Sequence, residues 1–78
     1  MNKNEKLVTQ FGKTLIQLRK KIGISQEGLA YESGLARSFV SEIERGIKQP
    51  SLSTIFIIAD TLEIKASILI KSVEEAIK

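Results

Sequence analysis

The stretch Gln26-Glu27-Gly28-Leu29-Ala30-Tyr31-Glu32-Ser33-Gly34-Leu35-Ala36-Arg37-Ser38-Phe39-Val40-Ser41-Glu42-Ile43 decides the fold. Two short helices that cross steeply need a small residue where they touch, and Ala30 supplies it. The tight turn between them favours a residue at ease with positive φ, and Gly34 supplies that. Val40 and Ile43 lie one turn apart on the inner face of the second helix and pack on the first. Arg37, Ser38, Ser41 and Glu42 then point outward. That outer face is polar and open to a ligand.

Upstream, Ser25 is a good N-cap for the first of these helices. Before it, Val8, Phe11, Leu15, Leu18 and Ile22 recur at three- and four-residue steps, which predicts an amphipathic helix over Val8–Ile22. Lys20 and Lys21 suit its C-terminal dipole, and Gly23 is placed to end it. Downstream, the helix from about Ala36 to Arg45 stops at Gly46, and Lys48-Gln49-Pro50 is a connector. Ser51 caps a fourth helix to about Leu62, on which Ile55, Ile58, Ala59 and Leu62 share a face. Ile64-Lys65 is a turn, and a fifth helix covers roughly Ala66 to Ile77 with Ala66, Leu69, Ile70 and Val73 on its inner face. Nothing alternates with period two. The expectation is an all-α fold: one compact five-helix domain over 1–78, with the central two-helix unit at about 25–45.

Composition narrows the chemistry. The chain has 78 residues, 42% of them apolar and 27% charged, which fits a single globular domain. It has neither Cys nor His, which removes disulfides, thiolate or imidazole metal sites, and Ser-His-Asp hydrolysis. No glycine-rich phosphate loop is present, so an enzyme is not expected, and no cofactor is. No apolar run approaches the roughly 20 residues needed to span a bilayer, and no signal peptide is expected. The expected compartment is the cytoplasm. Net charge is +3, but residues 1–22 carry Lys3, Lys6, Lys13, Arg19, Lys20 and Lys21 against Glu5 alone, which suits a polyanionic partner.

Ile22-Gly23-Ile24-Ser25-Gln26-Glu27-Gly28-Leu29-Ala30, then Ile43-Glu44-Arg45-Gly46, then Gln49-Pro50-Ser51-Leu52-Ser53-Thr54-Ile55 and Ile58-Ala59-Asp60-Thr61-Leu62 together resemble the Cro and phage-repressor helix-turn-helix family of bacterial regulators. The resemblance covers residues 11 to about 70. It implies a lambda-repressor-like DNA-binding domain and double-stranded DNA as the partner, read in the major groove. It assigns base reading to Ala36, Arg37, Ser38, Ser41 and Glu42. Arg37 leads, because a guanidinium can bond both acceptors of a guanine edge. Glu42 departs from the Gln, Arg or Lys often found there. Its carboxylate either accepts from a cytosine amino group, is repelled by phosphate, or pairs with Arg45 or Arg37. Phosphate contacts fall to Arg19, Ser25, Gln26, Arg45, Lys48 and Gln49. The resemblance also pairs Arg19 with Glu44 as a brace within the motif. Ala36-Arg37-Ser38-Phe39 is similar to the matching segment of restriction–modification controller proteins; a phage-type repressor is the next choice.

The fourth helix holds more apolar residues than one core needs. Phe56 and Ile57 sit about 100° and 200° round from Ile55, so at least one points away from the core. Ile68 lies outside the centre of its helix face. An exposed group of Phe56, Ile57 and Ile68 predicts a homodimer interface on helices of about 52–77. Two copies of the motif would then meet a palindromic operator with half-sites about one DNA turn apart. With no sensor domain expected, no small-molecule effector is expected, and control would follow protein concentration. The rival expectation is an antitoxin or interaction adaptor that uses the same apolar group to hold a partner protein.

Overall fold

Helix α1 (Lys3–Ile22) begins well before the expected Val8. Asn2 starts it: its side chain accepts from the Glu5 amide at 2.8 Å, while the Glu5 carboxylate accepts from the Asn2 amide at 3.2 Å. This reciprocal capping box satisfies two amides at the helix end. Residues 3–7 are all exposed, so apolar periodicity carried no trace of that turn, although Asn2-x-x-Glu5 was there to be read. The remaining helices are α2 (Gln26–Ser33), α3 (Arg37–Glu44), α4 (Leu52–Thr61) and α5 (Ala66–Ala76). The computed structural model describes residues 1–78 and contains no strand. No helix is long and apolar enough to cross a membrane.

Four of the five helices end in the same way. Gly23, Gly34, Gly46 and Glu63 take left-handed φ of 90°, 74°, 74° and 58°. The next residue then donates its amide five residues back: Ile24 to Arg19, Leu35 to Ala30, Ile47 to Glu42 and Ile64 to Ala59, at 2.9–3.1 Å. This motif reverses the chain and ties up a terminal carbonyl. It also returns an apolar side chain to the domain in three cases. Ile24, Leu35 and Ile64 pack against the core, whereas Ile47 is exposed. Ile24 thereby takes the place that the periodicity gave to Ile22, which stands exposed at the end of α1.

The principal helix contacts close a ring: α1 packs on α3, α3 on α2, α2 on α4, α4 on α5, and α5 on α1. Leu15, Leu29, Val40, Ile43, Ile58 and Leu69 fill its centre with no appreciable exposure. Ala30, Ala59, Leu62, Phe11 and Val73 complete the core. The inner-face readings of Ala30, Val40 and Ile43 hold. Ile70 does not stay with Leu69 and Val73; it is 43% exposed, because only one α5 flank meets α1 and α4.

Of the five glycines, Gly12 has the tightest surroundings. A Cβ there would lie 2.5 Å from the Ile43 carbonyl oxygen and 2.6 Å from that of Glu44. The bare backbone of α1 therefore seats the last turn of α3.

Candidate nucleic-acid interface

The polar helix α3 is held in place from below by its own last residue. Glu44 has a side chain only 4% exposed. It accepts from Arg19 Nε at 2.8 Å and Nη2 at 3.2 Å, and from Gln26 Nε2 at 2.9 Å. Arg19 Nη1 donates to the Ile24 carbonyl at 3.1 Å. One carboxylate thus ties α3 to α1 and to the first residue of α2. A two-pronged Arg–carboxylate bond fixes orientation as well as distance. Every nitrogen of Arg19 donates inside the protein, so bracing is its visible work; two of its N–H groups remain for a phosphate. Gln26 likewise keeps one amide hydrogen and its carbonyl oxygen.

Above this brace, Ala36, Arg37 and Ser38 are exposed, and Ser41 and Glu42 are half-buried along the same helix. Ala36 provides no side-chain cap, and the first turn of α3 carries no acid. Arg37 occupies that turn, where the helix dipole disfavours a cation. Its Nη1 donates to Glu27 Oε2 on α2 at 2.9 Å. Of the alternatives open for Glu42, an ion pair with Arg37 or Arg45 is absent: the two ion pairs are Arg19–Glu44 and Arg37–Glu27. Glu27 is the residue that sequence reasoning missed. It lies ten positions from Arg37, and only the crossing of α2 and α3 brings them together.

Ser25 caps α2, its hydroxyl oxygen accepting from the Gly28 amide at 2.9 Å. Arg45, Lys48 and Gln49 are all exposed in the segment after α3. The start of α2 and the segment after α3 thus carry polar groups.

A second surface lies on α4 and α5. Phe56, Ile57 and Ile68 are 54%, 41% and 48% exposed. Leu52 and Ile70 are also exposed and, with Ile55 and Phe56, line a shallow apolar cavity of about 340 Å³ between the two helices.

Comparison with known proteins places this geometry. The helix-turn-helix family model HTH_3 matches residues 15–69. The control protein C.BamHI of Bacillus amyloliquefaciens is 41% identical over 56 residues, spanning 70% of this chain and 69% of that protein. The crystal structure of the restriction-modification controller protein C.AhdI from Aeromonas hydrophila is similar with a TM-score of 0.77 at 44% identity, covering 80% of this chain and 94% of that one. Wild-type controller protein C.Esp1396I has a TM-score of 0.84 at 27% identity, covering 91% and 93%.

Proposed function

The chain belongs to the helix-turn-helix family HTH_3 and is a DNA-binding transcriptional regulator, and we propose that it acts as a homodimer on a palindromic operator, in the manner of a restriction–modification controller. The observation that carries the reading is the pairing of a rigidly braced α3 with a polar, exposed outer face. A helix held through a buried carboxylate presents Arg37 and Ser38 at a fixed angle, which base reading in a groove requires. Ala36, Arg37, Ser38, Ser41 and Glu42 then face base edges. Arg45, Lys48, Gln49, Ser25 and Gln26 hold phosphates, with Arg19 behind them.

The apolar group on α4 and α5 supports self-association. Phe56, Ile57 and Ile68 stand about half exposed on a domain of 78 residues, an arrangement that a partner surface would relieve. A two-fold dimer repeats α3 at a spacing of about 34–36 Å, one turn of DNA.

The test is selection of bound sites from a random duplex library at physiological salt, with sedimentation equilibrium on the same protein. A palindrome of fixed half-site spacing, bound by two chains, is the expected result. A folded dimer that enriches no sequence would overturn the DNA reading and assign the fold to a partner protein, as in an antitoxin.

A further inference from the structure

We propose that Glu27 is a specificity-determining residue that orients Arg37 for a guanine, a step that rests on the base-reading role of α3. Three observations point to it. First, Arg37 sits where a cation is least welcome, in the first turn of a helix with no side-chain cap and no acid of its own. Departures from local rules concentrate where a residue is kept for function. Secondly, the compensating charge comes from another helix: Glu27 Oε2 accepts from Arg37 Nη1 at 2.9 Å. Glu27 belongs to the first turn of α2, where a carboxylate is favoured by its own helix dipole. Thirdly, the pair is open to solvent, with side chains 61% and 74% exposed. Such a pair adds little to stability in water, so folding alone gives no reason for it.

The choice of atom gives the pair its consequence. The bond uses Nη1 and leaves the edge formed by Nε–H and Nη2–H without a partner in the protein. Two parallel donors on one edge match the O6 and N7 acceptors of guanine in the major groove. Glu27 thus holds the guanidinium from one side and leaves its recognition edge pointing away. Its charge also acts against misplaced binding. Near the duplex, a carboxylate is repelled by phosphates, and that cost is offset only when Arg37 finds its base. Removing the charge therefore lowers selectivity twice: the Arg loses its orientation, and random sequences lose a repulsion.

Site selection and affinity measurements on the full chain, Glu27→Gln, Arg37→Ala and the double variant test this. Wild type is expected to prefer guanine at one position of each half-site by about tenfold or more. Glu27→Gln is expected to lose most of that preference at that position alone, while binding random duplex as tightly as wild type or more tightly. The double variant should lose no more than Arg37→Ala. An unchanged guanine preference in Glu27→Gln, lost in Arg37→Ala, would overturn the role of Glu27 and leave the base-reading assignment standing. A preference that survives Arg37→Ala would overturn that assignment itself. Equal weakening of Glu27→Gln on all sequences would make Glu27 a support for α2 and nothing more.

Discussion

Arg19 and Glu44 stand 25 residues apart in the chain and meet in a two-pronged ion pair, Nε to Oε2 at 2.8 Å and Nη2 to Oε1 at 3.2 Å. The side chains are 12% and 4% exposed. Removing one partner strands a charge away from water, which is more costly than losing a surface pair. Arg19→Ala is expected to destabilise the domain by about 3–5 kcal/mol in urea unfolding. Replacing both with apolar residues, Arg19→Met with Glu44→Leu, is expected to recover most of that loss and still to impair DNA binding. A double variant no more stable than Arg19→Ala would show that the pair is not the source of the cost.

Gly12→Ala sets two terms against each other. Alanine gains about 1 kcal/mol over glycine inside a helix. The added Cβ meets backbone carbonyls at 2.5 and 2.6 Å, and backbone gives way less readily than a side chain. Overpacking wins: the variant is expected to lose about 1–3 kcal/mol on thermal unfolding. It should also weaken operator binding, because α3 is what must move. A more stable variant would mean that α1 and α3 separate without strain.

Glu63 is the one non-glycine residue with positive φ, at the stop where the other three helices use glycine. An L-residue there carries strain of about 1–2 kcal/mol, part of which glycine returns through its freedom in the unfolded chain. Glu63→Gly is expected to raise stability by about 0.5–1 kcal/mol, read as a higher melting temperature. A lower melting temperature would assign Glu63 a contact that outweighs its strain.

Phe56→Ser removes an aromatic ring that is 54% exposed and lies outside the core. It should leave helical content unchanged. If the proposed homodimer forms through this surface, the variant should shift it toward monomer by tenfold or more in sedimentation equilibrium, with a parallel loss of operator affinity through the lost second site. A dimer as strong as the wild type's would move the interface elsewhere.

Lys48 is exposed in the segment after α3, and the proposed role for it is a phosphate contact, which carries no sequence information. Lys48→Ala is expected to weaken all duplexes alike and to reduce the logarithmic salt slope by about 1. An effect confined to one base position would make Lys48 a base reader instead.

The sequence carried the central unit because each requirement was local. Ala30, Gly34, Val40 and Ile43 occupy positions fixed by helical period and turn geometry, and period and turn survive in any packing. Counting apolar residues around α4 placed at least one of Phe56 and Ile57 outside the core, and the position of Ile68 off the centre of the α5 face placed it outside too; all three are exposed. The start of α1 at Lys3 was legible too, in Asn2 and Glu5, but apolar periodicity is blind to a turn that buries nothing. Other features had no local signature. Whether Ile70 faces in or out depends on which α5 flank α1 and α4 cover. Gly12 reads as a weak point in a helix until α3 is laid across it. Arg37 reads as an isolated cation until the crossing of α2 and α3 delivers Glu27 to it. The sequence by itself determined which segments are helical, where they stop and the centre of each apolar face, since these depend on neighbours three or four residues away; the edges of those faces, at Ile22 and Ile70, were left to packing. Tertiary structure alone decided which charges meet and which backbones touch, because those distances are set by how helices cross, and the crossing belongs to the packed core as a whole.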